Sequence, residues 1–258
     1  MYGCFASRKR HPQCRKPKYP FITIINTLIF IIWSSIMVIV HHLNNSRSQR
    51  ILWMLEELQV PYELKRYQRD PGSLLAPPEL KKIHPLGKSP VITDGDLTLA
   101  ESGAIIEYLQ ETYDAQGQFK PTGHYDRQQF RYWMHYAEGS LMPLLVMKLI
   151  FSRFGGPPVP WIIRPVAKAL GDGVQKSYLN KQIATHRDYL EQHLTQNLWF
   201  AGRDFSAADI QMSFPIEAIN TRGGLEGFPK LQDFLVRIHQ RPAYQQAIAK
   251  GGAFTLEK

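Results

Sequence analysis

The stretch Lys88–Ser102, which reads KSPVITDGDLTLAES, restricts the fold more than any other part of the chain. Val91-Ile92 and Leu97-Thr98-Leu99 flank Asp94-Gly95-Asp96, the spacing of two short antiparallel strands joined by a tight turn. Ser102 then stands as a helix cap ahead of the apolar-periodic segment Gly103 to Tyr113. Just before the first strand, Ser89-Pro90 is a candidate cis peptide, which would turn the Ser89 backbone N–H and C=O outward to pair with an extended peptide. Ser102 and the N–H groups behind it offer a carboxylate site at a helix N-terminus, and Glu101 offers an anion to an ammonium. A small peptide with a free amine and carboxylate at one end fits that set of groups.

The flanking sequence supplies the rest of the domain. Met37 to Leu43 reads as a strand, Ser46-Arg47-Ser48-Gln49-Arg50 as a loop, and Ile51, Leu52, Leu55, Leu58 and Val60 fall at helical spacing. Pro61 to Tyr67 alternates as a second strand, and a short helix follows near Glu79 to Ile83. The order βαβ, short helix, ββ, α predicts a mixed four-stranded sheet. After Tyr113 the composition changes: residues 114–123 read as a linker, and strand signals stop at Tyr125. Arg127 to Phe151 predicts a long aromatic-rich helix, broken by Gly155 to Pro160, and a second helical region runs to about Leu194. Ser206-Ala-Ala-Asp209 is a capping box ahead of a helix from Ile210 to Ile219, and two more helices span Lys230 to Gln240 and Pro242 to Lys250. The chain therefore divides into an extension (1–36), an α/β domain (37–115) and an all-helical domain (124–252).

The formal net charge is +9, but Arg8, Lys9, Arg10, Arg15, Lys16 and Lys18 supply six of those charges in a leading segment without acids, leaving +3 for the remainder. With no basic stripe interleaved with aromatics, the body is not expected to bind nucleic acid. Both cysteines, Cys4 and Cys14, also lie at the start, so residues 15–258 have no disulfide framework, no cysteine nucleophile and no thiolate metal site. No trusted metal spacing occurs among His41, His42, His124 and His135, and no metal is expected. Phe21 to Val40 is uncharged, which resembles a signal anchor, yet Met37 to Leu43 is needed for the first strand. Two readings stay open: Met37 is the functional start of a cytoplasmic protein, or residues 19–36 anchor the chain to a membrane.

Three stretches together, SRSQRILWMLEEL, HPLGKSPVITDGDLTLAESGAIIEYL and FAGRDFSAADI, resemble the soluble glutathione S-transferases from Met37 to about Gly252. HHLNNSRSQRILW and YWMHYAEGSLMP resemble a serine-type bacterial and fungal branch. The resemblance implies a thioredoxin-like βαβ-ββα domain, a C-terminal helical bundle, glutathione as co-substrate, a small hydrophobic electrophile and a homodimer. Such a site has to hold the glutathione thiol as thiolate, and lowering a thiol pKa by two units needs roughly 2.7 kcal/mol. One charge-assisted hydrogen bond of about 1.5–3 kcal/mol nearly supplies that. Ser46 and Ser48 compete as the donor, with Asn45 a third candidate. Arg50 resembles the first-helix arginine that follows the active serine by four residues, which favours Ser46. By the same resemblance Ser89-Pro90 pairs with the cysteinyl unit, Glu101 and Ser102 hold the γ-glutamyl end, and Lys88 holds the glycine carboxylate. The electrophile pocket is expected between the hairpin and the long helix, with Tyr132, Trp133, Tyr136, Met142 and Met147 as candidates.

Overall fold

Residues 37–73, 75–221 and 223–252 are described by the computed structural model, and the expectations for residues 1–36 lie outside them. Strand β1 (Val38–Leu43) is the centre of a sheet ordered β2-β1-β3-β4, with β2 at Tyr62–Tyr67, β3 at Val91–Asp94 and β4 at Leu97–Ala100. A strand covered on both faces reads as a continuous apolar run, and Val38, Val40 and Leu43 are all buried. β1 pairs parallel with β2, Val40 opposite Leu64, and antiparallel with β3, Val40 opposite Ile92. A parallel pair needs a crossover, which helix α1 (Ser48–Leu58) provides. Gly95, at φ 55°, opens the two-residue loop between β3 and β4, where a left-handed residue follows the twist of the strands.

After the short α2 (Glu79–Ile83), the Ser89–Pro90 bond is cis, and the sheet leads into α3 (Ser102–Tyr113). The expectation that Ser102 caps this helix is corrected. β4 runs to Ala100, so a single residue has to make the corner; Glu101 takes the cap position at φ 74°, ψ 123°, and no side chain caps the helix.

The second half is helical throughout. Helix α4 (His124–Tyr136) runs into a π-turn at Ala137–Leu141 and continues as α5 (Met142–Ser152). A 3₁₀ turn at Trp161–Ile163, α6 (Arg164–Val174), a second π-turn at Gln175–Leu179 and α7 (Asn180–Gln196) follow. Next come α8 (Ala207–Asn220), α9 (Pro229–His239) and α10 (Pro242–Gly251). The capping box of α8 is formed: Asp209 accepts from Ser206 N at 2.8 Å and Ser206 Oγ at 3.0 Å, and also holds Phe200 N at 2.8 Å.

The described residues from Val38 to Gly252 form one compact unit. Its main core runs unbroken from Val40 and Ile92 of the sheet, through Leu52 and Leu55 of α1, to Trp133, Ile210 and Phe234. Two features lock α1 to the last helix. The Trp53 ring stands edge-on to Tyr244 at 5.1 Å, and Arg241 grips Glu57 with two hydrogen bonds of 2.5 and 2.8 Å. No helix among the described residues is long and apolar enough to cross a membrane.

Candidate functional site

The site is built on the turn from β1 to α1. Asn45 is left-handed at φ 49°, and Arg69 at the end of β2 fixes the corner by donating to Asn44 O and Asn45 O, both at 3.2 Å. Arg47 holds the cap position of α1 and has no capping side-chain bond. Ser46 supplies one instead, its Oγ accepting the Ser48 N–H at 3.3 Å.

The three polar side chains under this turn form a chain. Ser46 Oγ is 2.7 Å from Ser48 Oγ, Ser48 Oγ is 2.8 Å from His42 Nδ1, and His42 Nε2 is 2.9 Å from the Gly251 carbonyl at the end of α10. The carbonyl can only accept, so Nε2 carries a proton. Burial, with Arg66 adding to it, lowers the His42 pKa below the ordinary 6.5 despite the Gly251 bond, so the ring is neutral at pH 7 and Nδ1 is an acceptor. Ser48 therefore donates its one proton to His42. Ser46 keeps a choice: its proton can point to Ser48 Oγ or to Ser89 Oγ at 3.4 Å, the latter hydroxyl being committed to His41 O at 3.0 Å. Ser48 is also fully enclosed, whereas Ser46 retains 6% exposure. Ser48 also has a second acceptor, Leu43 O at 3.4 Å, but a turn toward it would leave His42 Nδ1 without a donor.

Two cavities meet at this turn. The smaller, about 210 Å³, is lined by all five residues that the sequence assigned to the peptide: Lys88, Ser89, Pro90, Glu101 and Ser102. Arg47, His84, Leu86, Ala100 and Glu138 complete it. Carboxylates at Glu101 and Glu138 and cations at Lys88 and Arg47 give it both signs of charge, as a zwitterionic peptide requires. Glu138 reaches in from the π-turn and is held by Arg47 at 3.0 Å and by the fully buried Arg50 at 2.5 Å. Arg50 also donates to Gln211 O at 2.6 Å, so it fastens α1 to α8 from beneath the site.

The larger cavity, about 430 Å³, is bounded by Asn45 and Arg47 of the turn, by Met142, Leu145 and Leu149 of α5, and by Ile183, Phe214 and Ile219. Met142 is thus placed on its wall; the three aromatic candidates are not. Trp133 is fully buried in the core against Tyr189 and Phe200, Tyr136 is buried with its hydroxyl on His186, and Tyr132 lines a separate depression with Gln128 and His135. Met147 packs in a second apolar cluster with Leu179 and Ile183. The sequence reading missed Arg47, Glu138 and His42. Arg47 lies within the recognised SRSQR segment, but nothing in its spacing shows that it lines both cavities. Glu138 arrives through a π-turn that has no sequence signature.

A four-stranded mixed sheet with a cis-proline before its hairpin, fused to a helical bundle and bearing a mixed-charge cavity, defines the class of proteins with a thioredoxin-like domain followed by an all-helical one. The glutathione S-transferase N-terminal domain family matches residues 36–111, and a glutathione S-transferase C-terminal domain family matches residues 164–250. Glutathione S-transferase 3 of Schizosaccharomyces pombe is 42% identical over 184 residues, covering 70% of this chain and 74% of that one. Glutathione S-transferase 1 of Saccharomyces cerevisiae is 33% identical over 223 residues, covering 83% and 95%. Among solved structures, a glutathione S-transferase from Actinobacillus pleuropneumoniae aligns with a TM-score of 0.68 at 34% identity, covering 83% of this chain and 93% of that one. The chain belongs to the glutathione S-transferase family.

Proposed function

We propose that this chain is a serine-type glutathione transferase, in which the smaller cavity binds the tripeptide and the Ser46 hydroxyl holds its sulfur as the thiolate. The observation that carries this reading is that Arg47, next to Ser46, lines both cavities, so a sulfur held at the turn faces both. Lys88 and Arg47 suit the glycine carboxylate, the cis Ser89–Pro90 segment suits the cysteinyl unit, and Glu101 with Ser102 suits the γ-glutamyl end. The thiol proton leaves to solvent; the thiolate then forms a C–S bond to an electrophilic carbon in the larger cavity, and the leaving group departs with its electron pair. A cytoplasmic homodimer belongs to the same proposal and is supported by family membership.

Steady-state turnover of 1-chloro-2,4-dinitrobenzene and of cumene hydroperoxide tests the reading. Transfer to the arene supports it, while hydroperoxide reduction alone assigns the same thiolate to redox work. With no cysteine after Cys14, that work would pass through glutathione itself. Tight glutathione binding with neither activity would make the chain a binding module instead.

A further inference from the structure

The 3₁₀ turn Trp161–Ile163 and helix α6 carry an apolar surface that no described residue covers. Trp161 is 76% exposed and Ile162 70%, and Ile163, Val166 and Leu170 are exposed with them. Val166 and Leu170 stand one helical turn apart, and Ile162 precedes Val166 by the same four residues, so the three continue one stripe. Single apolar residues on a surface are ordinary, but a contiguous group of this kind marks a place where a partner sits. The outward aim is set from behind. Gly171, the one buried residue of α6, lies so close to the end of α5 that an added Cβ would meet Phe151 O at 2.6 Å.

Charge decides what the patch suits. Between Glu138 and Asp188 the sequence has seven lysines and arginines and a single acid, Asp172, which Lys168 already engages at 2.7 Å. Arg153 before the turn and Lys176 after α6 are both exposed. A second copy meeting this face about a two-fold axis would set the cation-rich segment against itself. An anionic lipid surface offers the opposite sign to the basic flanks, and it offers the indole the boundary between water and hydrocarbon that tryptophan favours. With 11 residues α6 is too short to span a bilayer and would lie in its surface.

We infer that Trp161–Ile163 and the Val166–Leu170 face of α6 dock this protein reversibly on an anionic lipid surface, with Arg153 and Lys176 against the headgroups. Docking is independent of the transferase reading, since none of these residues lines either cavity of the site. Vesicle flotation of the full chain tests it, comparing phosphatidylcholine alone with the same lipid carrying about 30% phosphatidylglycerol. The uncharged stretch Phe21–Ile36 is present too, so the readout is the change on substitution. The chain should bind anionic vesicles at least about tenfold more tightly than neutral ones, a ratio that shrinks as salt rises from about 0.05 to 0.5 M. Trp161→Ser should weaken anionic binding at least about tenfold, and Leu170→Ser severalfold. Arg153→Gln combined with Lys176→Gln should bring the two vesicle types toward parity. An unchanged melting temperature shows that each variant is folded. No binding to anionic vesicles, equal binding to both types, or binding unchanged in both apolar variants overturns the inference. A sedimentation coefficient that falls in Trp161→Ser without lipid also overturns it, and would assign the face to a second copy.

Discussion

The Ser48 hydroxyl lies 2.8 Å from His42 Nδ1 and spends its only proton there, while Ser46, 2.7 Å away, does not have to. Substitutions at the two hydroxyls are therefore expected to have separable effects. Ser46→Ala is expected to lower kcat by roughly a hundredfold, the value of about 2.7 kcal/mol of thiolate stabilisation, and to cost about 1 kcal/mol of stability through the lost cap on the Ser48 N–H. Ser48→Ala is expected to cost about 1–3 kcal/mol of stability, because it leaves the buried His42 Nδ1 unsatisfied. Initial rates and denaturant unfolding on both variants check this, and a turnover loss confined to Ser48→Ala would reverse the assignment.

His42 also gives the fold a pH dependence of definite sign. Its pKa in the folded chain is lowered by burial below the 6.5 of the unfolded chain, so unfolding takes up a proton in the interval between the two values. The contribution is complete above pH 6.5 and is lost as pH falls through the folded value. His41, His186 and His193 are shifted the same way by burial, so their effects add. The denaturant midpoint should therefore fall between about pH 7 and pH 5, with a shallower slope in His42→Asn. Equal slopes would remove His42 from the account.

Glu138 answers two arginines, one of them fully buried, so its removal is expected to affect fold and affinity together. Glu138→Ala leaves the Arg50 guanidinium uncompensated and should cost about 3 kcal/mol, whereas Glu138→Gln, which still accepts a hydrogen bond, should cost less. Both should raise the half-saturating glutathione concentration, as initial-rate titrations would show.

At Glu101 the two effects part. Its φ of 74° is strained for a residue with a Cβ, and its carboxylate lines the smaller cavity. Glu101→Gly should stabilise the fold by about 1 kcal/mol while weakening glutathione binding. Glu101→Ala should weaken binding without that gain. A variant that lost turnover at unchanged glutathione affinity would contradict the role given to this side chain.

Much of this architecture could be read from the chain because local signals agreed with tertiary ones. The apolar run of β1, the Asp-Gly turn after β3 and the Ser206–Asp209 box each carry a short-range physical cause, and each forms where expected. The same holds for Lys88 to Ser102, where a contiguous hairpin brings the five named residues to one cavity. The larger cavity was less legible for a geometric reason. A π-turn inserts an extra residue at Ala137–Leu141 and shifts the helical phase, so a stripe extended from Tyr132, Trp133 and Tyr136 does not continue into Met142. Helical spacing also could not say which face of α4 meets the core, because that helix is aromatic on more than one side. The link from His42 to Gly251 was invisible because nothing local in either segment refers to the other.

That link has a consequence for how the protein is made. Gly251 sits so close to α1 that an added Cβ would run into Gln49 Oε1 and meet Leu52 Cδ1 at 2.6 Å, and its carbonyl lies 209 residues beyond the histidine it fixes. At a translation rate of about 5–20 residues per second, the serine turn waits roughly 10–40 s after its own synthesis for the helix that completes its hydrogen bonds. A nascent chain without that helix carries the serine turn but not the acceptor of His42 Nε2, so the hydrogen-bond chain closes only when the ribosome has read through it.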